Sequence, residues 1–329
     1  MDPIEPDGCL AAERGWRGGP IDTANLRLRR LMPADADEVA RLLDDWEVAR
    51  HTTNLPFPYS HQDAERFIGK VASEMAAGRS VVFAVEERLT RRLVGCVGAT
   101  ITDGSAEIGY WFGQEHWGRG YATESLRRAL RVLFVNFGLD LVWASVAPEN
   151  LASRRVLDKA GFVFDRRQPA EMPARGTTAD LDFLALPRQA WQAAMAARPM
   201  LLVAAAALID VDGRVLLAQR PAGKSMAGQW EFPGGKLKPG ETPEAALMRE
   251  LNEELGIDVG QSCLAPLAFA SHDYDQFHLL MPLFACRRWH GMVMAREGQK
   301  LAWVGSRRLA DYVMPPADLP LVTLLRDWL

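Results

Sequence analysis

Glu250, Glu253 and Glu254 follow Arg249 at the i, i+3 and i+4 spacing that brings side chains onto one helix face. The flanking residues supply a helix to carry them. Thr242 suits an N-cap, Pro243 the first helical position and Gly256 the C-terminal stop, which predicts a helix over about 243–255. Ala246, Leu247, Leu251 and Leu255 mark its core-facing side. Three carboxylates on one face repel one another unless a cation sits among them. An all-oxygen donor set suits Mg2+ or Mn2+ bridging to phosphate. The Gly234-Gly235 pair ahead of the helix lets backbone approach such a cation closely. A solvated acidic helix face is the plainer reading of the glutamates, but it accounts for neither the arginine nor the glycines.

From Gly235 through Glu241, Arg249, Glu250, Glu253, Glu254 and Gly256 to Ile257 the chain fits G-x5-E-x7-R-E-U-x-E-E-x-G-U, where U is apolar. This run resembles the Nudix box, and residues 200–329 are similar to the MutT-like nucleoside triphosphate pyrophosphohydrolases. Supporting segments stand in family order: Leu216 to Arg220, Met226 to Gly235, Arg296 to Gln299, Trp303, and Met314 to Asp318. The resemblance implies that the Gly234 carbonyl and the carboxylates of Glu250, Glu253, Glu254 and Glu297 hold Mg2+ or Mn2+. It also implies that Arg249 orients Glu250 and that Arg220 and Phe232 sit at the nucleotide. Water would attack the β-phosphorus, releasing a nucleoside monophosphate and pyrophosphate.

Two departures bear on the base. Asp318 stands where MutT-like proteins often have asparagine, and Phe277 where some relatives have arginine. A carboxylate at 318 can accept from the N7–H that distinguishes 8-oxoguanine from guanine, but must be protonated to donate to O6, which needs a raised pKa in a buried pocket. It could instead accept from an exocyclic amino group, or serve only as a turn or cap residue after two prolines. The leading expectation is 8-oxo-dGTP hydrolysis, a nucleotide-pool cleaning role; the alternative is a broad dNTP or CTP pyrophosphatase.

The first half carries a second chemistry. The strand Ala106–Phe112 runs into Trp117-Gly118-Arg119-Gly120-Tyr121-Ala122 and a helix to about 137 with Leu126, Ala129, Leu130, Leu133 and Phe137 on one face. A strand at Leu141–Val146 then leads to Asn150, Ser153, Gly161 and Phe162. Strand, glycine-rich turn and helix aim backbone N–H groups at a phosphate. Coupled to N-x-x-S-x7-G-F, this arrangement resembles the GNAT N-acetyltransferases over about residues 22–187. Thr23 to Arg29 and Trp117 to Glu124 are most similar to the branch that includes the ribosomal-protein N-terminal acetyltransferases. The likeness implies acetyl-CoA with its pyrophosphate on the amides of Trp117–Ala122 and with Asn150 and Ser153 near the cofactor. Arg119, Arg127 and Arg128 are phosphate partners or solvated helix charge. Glu107 is the base candidate, acting directly or through water, and its plainer reading is an exposed strand residue. Asn150 could equally cap the next helix, with Ser153 in its first turn. Where many members have an acidic tyrosine, this chain has Val156 and Leu157, which shifts thiolate stabilisation to Ser153 or water.

Composition frames both halves. With 329 residues, 48% hydrophobic and 24% charged, two globular domains are expected. A net charge of −4 argues against general nucleic-acid affinity. Cys9, Cys96, Cys263 and Cys286 show no metal or disulfide spacing. No apolar run is long enough to span a bilayer and residues 1–20 are not a signal peptide, so a cytoplasmic location with no membrane partner is expected. The expected organisation is a flexible leader at 1–20, a GNAT fold with a mixed central sheet flanked by helices at 21–190, a short linker at 191–199, and a Nudix α/β/α sandwich at 200–329. Function is expected to be bifunctional: N-acetyl transfer to an unidentified amine, a protein N-terminus or a small molecule, and metal-dependent pyrophosphohydrolysis. The alternative has the first domain only sensing acetyl-CoA.

Overall fold

A computed structural model of the chain describes Trp16 and residues 19–329; most of the expected leader, with Cys9, lies outside the described residues. The chain divides between Ala197 and Arg198 into two units. A helix over Arg188–Ala196 occupies most of the stretch expected to be linker.

In the first unit the strands are β1 (Ile21–Asp22), β2 (Leu26–Arg29), β3 (Ser80–Glu87), β4 (Leu93–Thr102), β5 (Ser105–Phe112), β6 (Leu141–Val146), β7 (Val163–Met172) and β8 (Thr177–Pro187). They form one sheet in the order β1-β2-β3-β4-β5-β6-β8-β7. The α-helices described with it are α1 (Ala36–Leu43), α2 (Trp46–Ala49), α3 (His61–Ala76), α4 (Tyr121–Arg131), α5 (Leu151–Lys159) and α6 (Arg188–Ala196). Among the described residues of this unit only β5 and β6 pair parallel, which the α4 crossover between them permits. Their pairing spans Ser105–Glu107 against Leu141–Trp143 and then stops. Beyond it, β5 stays paired to β4 as far as Phe112, while β6 stays paired to β8 as far as Val146. The two strands therefore separate into a wedge. Leu126, Ala129, Leu130 and Leu133 are buried in the core as the helical spacing predicts, but the helix loosens into a π-turn over Val132–Asn136. Helix α3 and the β7–β8 hairpin carry no signal that was read in the sequence.

Glu124 explains why two separated motifs occur together. Its carboxylate accepts from Thr23 Oγ (2.6 Å), the Asn25 N–H (2.7 Å) and Asn25 Nδ2 (2.9 Å). The start of α4 is thereby fixed to the β1–β2 turn, and the glycine turn ahead of α4 inherits that position.

The second unit holds β9 (Met200–Leu208), β10 (Arg214–Gln219), β11 (Trp230–Glu231), β12 (Gly234–Lys236), β13 (Ala265–Asp273), β14 (His278–Cys286), β15 (Lys300–Gly305), α7 (Pro243–Leu255) and α8 (Leu319–Trp328). One sheet runs β12-β9-β14-β13 and the other β11-β10-β15. Strand β9 is buried on both faces from Ala204 to Leu208. Ala204, Ala206 and Leu208 meet Leu247, Leu251 and Leu255 of α7, while Ala205, Ala207 and Ile209 share a core with Leu321, Val322 and Leu325 of α8. Helices on both faces make the α/β/α sandwich, and the small alanines let both approach the sheet closely.

Candidate active sites

Helix α7 forms where the sequence places it. Thr242 Oγ accepts from the Ala245 N–H (3.2 Å), and Gly256 terminates the helix in the left-handed region at φ 70°. With the leucines fully buried, the opposite face is left for Arg249, Glu250 and Glu253.

Arg249 organises that face. Its guanidinium donates to both carboxylate oxygens of Glu241 (2.8 and 2.9 Å), to Glu250 (2.7 Å) and to Glu253 (3.2 Å). The paired Arg249 bond, aided by the Lys238 N–H, holds the Glu241 carboxyl at about 2, well below the ordinary range. Glu241 had no role assigned from sequence beyond its place in the pattern, yet it anchors the arginine that orients Glu250. Gly235 lies against the same carboxylate: a Cβ there would stand 2.2 Å from Glu250 Cδ. Gly234 is constrained differently. It has φ 150°, and a Cβ would meet the Ala204 carbonyl oxygen at 2.1 Å.

Glu254 faces the other way, towards Glu231, Glu250 and Glu297. Burial first, then the charge of those three carboxylates, raises its pKa to about 7, against a small opposing effect of Lys224. Lys224 Nζ donates to Glu297 (2.7 Å), and Gln299 ties the Glu297 amide to the Glu254 carbonyl (2.8 and 2.9 Å). Among the described residues, no three acidic, histidine or cysteine side chains close to metal-holding distance. Glu250 and Glu253 are turned to Arg249, and Glu297 to Lys224. The donor set nevertheless fits a hard divalent cation: it is all oxygen, and its crowding already raises the proton affinity of Glu254.

An apolar cluster surrounds Phe232. Phe232, expected at the nucleotide, is only 3% exposed and packs into the core, because β11 and the following proline turn it inward. Trp230, Tyr274, Phe277 and Tyr312 are only partly buried beside it. Arg220 is ion-paired with Glu231 and donates to the Ser225 carbonyl (2.6 Å). Asp318 is 4% exposed, and burial, reinforced by the Glu231 charge, raises its pKa well above the carboxylate range. It stands at the N-cap of α8 but makes no side-chain cap bond; its backbone carbonyl accepts from Leu321 and Val322 instead. Burial thus favours its protonated form, which has one donor and one acceptor.

In the first unit, the turn after β5 puts Gly118 (φ 76°) and Gly120 (φ 81°) in the left-handed region before α4 begins. The Trp117 amide, expected to face phosphate, is given to the Gln114 carbonyl (3.1 Å). Arg119 lies 3.8 Å from Glu87, and Arg127 donates to the Lys159 carbonyl (2.5 Å), leaving Arg119 nearer the turn. Asn150 caps α5 by accepting from the Ser153 N–H (3.0 Å). Glu107 accepts from Ser145 Oγ (3.1 Å). Although its side chain reaches solvent, surrounding protein raises its pKa more than Ser145 lowers it. A cavity of about 370 Å3 adjoins Ser145, walled by His51, Glu149, Arg167 and Asp180. Tyr110, missed in the sequence, reaches Ser153: its hydroxyl lies 2.8 Å from Ser153 Oγ and 3.2 Å from the Ser153 carbonyl. Its alternation with buried Ile108 and Phe112 is the signal that could have aimed it inward.

Comparison with known proteins places two family models on the chain, an acetyltransferase (GNAT) domain over residues 25–163 and a NUDIX domain over residues 204–324. The second part is 43% identical over 121 residues to the CTP pyrophosphohydrolase of Escherichia coli K12, covering 36% of this chain and 85% of that protein. It is 44% identical over 96 residues to the 8-oxo-dGTP diphosphatase of Proteus vulgaris, covering 29% and 84%. The first part is 32% identical over 145 residues to the N-acetyltransferase p20 of Bacillus licheniformis, covering 43% and 80%.

Proposed function

Because the chain belongs to the GNAT acetyltransferases in its first part and to the Nudix hydrolases in its second, we propose that it both transfers acetyl groups to an amine and hydrolyses 8-oxo-dGTP to the monophosphate and pyrophosphate. The observation that carries the nucleotide choice is the burial of Asp318, which favours its protonated form. A carboxylic acid presents one acceptor and one donor side by side. The N7–H and O6 of 8-oxoguanine are its complement. Guanine offers two acceptors on that edge and leaves the carbonyl of the acid unpaired, a cost of about 1–3 kcal/mol. Cytosine, with N3 and its amino group, also matches, and this same feature favours CTP as the second reading.

The Gly234 carbonyl and the carboxylates of Glu250, Glu253, Glu254 and Glu297 would hold Mg2+ or Mn2+, which polarises phosphate oxygens and makes water more acidic. Arg249 orients Glu250, with Glu241 fixing the arginine from its far side. Phe232 backs the base region from within the core, and Arg220 positions Glu231 beside it. In the first part, the amides of Gly118–Ala122 receive the pyrophosphate of acetyl-CoA, with Arg119 alongside and Asn150 setting the start of α5. Glu107, with its raised pKa, takes the proton of the amine through water.

Asp318→Ala is expected to reduce the 8-oxo-dGTP to dGTP ratio of kcat/KM by about 10- to 100-fold. Asp318→Asn keeps a donor and an acceptor and should retain most of that ratio. An unchanged ratio in the alanine variant would remove Asp318 from base reading; CTP turnover matching that of 8-oxo-dGTP would move the assignment to the second reading. For the other site, Gly120→Val puts a β-branched residue at φ 81° across the turn, and calorimetry should show acetyl-CoA affinity down by about 10-fold or more. Normal affinity would relocate the phosphate site.

A further inference from the structure

Building on the divalent-cation reading above, we infer that Lys224 is a phosphate-binding residue that works by exchange. It competes with the divalent cation for Glu297, and once released from that carboxylate it pairs with the triphosphate of the substrate. Lys224 lies in the loop joining β10 to β11, and its Nζ donates to Glu297 at 2.7 Å. The base of that loop is fixed. The Gly228 N–H donates to the Arg220 carbonyl (2.9 Å), Gln219 Nε2 to the Gly228 carbonyl (2.8 Å) and Arg220 Nε to the Ser225 carbonyl (2.6 Å). The backbone of the partner is fixed too, because the Glu297 amide donates to Gln299 (2.8 Å), which donates to the Glu254 carbonyl (2.9 Å). Between these two anchored backbones the flexible lysine stem is free to turn, and residues 222–225 around it are exposed.

The other cations of this site are bonded on several sides. Arg249 holds Glu241, Glu250 and Glu253, and Arg220 holds Glu231 and the Ser225 carbonyl. Among the described residues the Lys224 ammonium has Glu297 as its one hydrogen-bond partner. That pair is half in solvent, with side chains 50% and 43% exposed, and such a pair biases an equilibrium by about fivefold at most. A divalent ion on the same carboxylate carries twice the charge and displaces it. The charge of Lys224 also acts on Glu231 and Glu254, so the ammonium stands over the carboxylates that the cation would use. Repelled by that cation, it needs another anion within reach of its stem. The triphosphate bridged to the same cation is one, and its oxygens match the three N–H donors of the lysine.

The test is calorimetry on the full-length protein, first with Mn2+ alone and then, in saturating Mg2+, with the non-hydrolysable α,β-methylene analogue of 8-oxo-dGTP. Lys224→Met keeps most of the stem and removes the charge. It should bind Mn2+ roughly 3- to 10-fold more tightly than the wild type, because a competing cation is gone. It should bind the analogue about 10-fold more weakly, because a charged phosphate contact is gone. These opposite signs are what exchange requires. Combining Lys224→Met with Glu297→Gln should give no tighter Mn2+ binding than Glu297→Gln alone, since the competition runs through that carboxylate. Weaker Mn2+ binding by Lys224→Met would make the lysine a support for Glu297 and overturn the inference, and so would an unchanged affinity for the analogue. Absence of saturable Mn2+ binding by the wild type overturns the divalent-cation reading beneath it. Mn2+ binding by the wild type without binding of the analogue overturns the nucleotide reading instead.

Discussion

Gly235→Ala should fold as the wild type does and lose about two orders of magnitude or more in kcat for pyrophosphate release. The added Cβ would lie 2.2 Å from Glu250 Cδ and 2.5 Å from both its oxygens, with no backbone atom among its three nearest contacts. A flexible carboxylate can move aside at little cost to stability. In moving, it leaves the Arg249 hydrogen bond at 2.7 Å that sets its direction. Catalytic groups displaced by an ångström commonly cost ~10²-fold. Gly234→Ala is the contrast: its Cβ meets the Ala204 carbonyl oxygen at 2.1 Å at φ 150°, and the β9–β12 pairing must yield. That variant should lose stability as well as activity. Steady-state kinetics beside thermal melts separates the two, and near-normal turnover by Gly235→Ala would mean that Glu250 does not work from this position.

Glu254→Gln is expected to stabilise the metal-free protein at pH 8 while removing hydrolysis. The folded-state pKa of Glu254 is raised to about 7 from an ordinary 4.5. A carboxyl raised in this way favours the native state fully below pH 4.5. That contribution is lost as pH climbs to 7, where the charged form must be kept among Glu231, Glu250 and Glu297. At ~1.36 kcal/mol per pH unit, the loss approaches about 3 kcal/mol. In chelator, denaturant titrations at pH 5 and pH 8 should show the wild type losing stability relative to Glu254→Gln. Added Mg2+ should recover the wild type and leave the variant nearly unmoved. Equal pH dependence in the two proteins would show that Glu254 is not crowded.

The reach of the sequence can be judged residue by residue. Helix α7, its cap at Thr242, its stop at Gly256 and its buried leucines follow from local spacing, because a helix brings i, i+3 and i+4 together whatever surrounds it. The glycine turn before α4 is legible for the same reason. The burial of Phe232 is not legible locally, because an aromatic residue beside a glycine loop suits either a ligand or a core, and only packing sets its exposure. Nor does the local motif show that the Trp117 amide is bonded to the Gln114 carbonyl. Helix α3 and the β7–β8 hairpin were passed over because they contain no chemistry-bearing motif.

Sequence alone determined the two reaction classes: the spacing of Arg249, Glu250, Glu253 and Glu254, and that of Gly118, Gly120, Asn150 and Ser153, are local quantities. Tertiary structure decided what state those groups are in. Asp318 has a raised pKa because it is buried and near the charge of Glu231, far away in the chain. The pKa of Glu254 is raised because it is buried and because strands and loops distant in sequence bring carboxylates around it. Tyr110 meets Ser153 across 43 residues because β5 and β6 part where they do. Burial and charge depend on which distant segments fold together, and that is information the order of residues carries only through the finished packing.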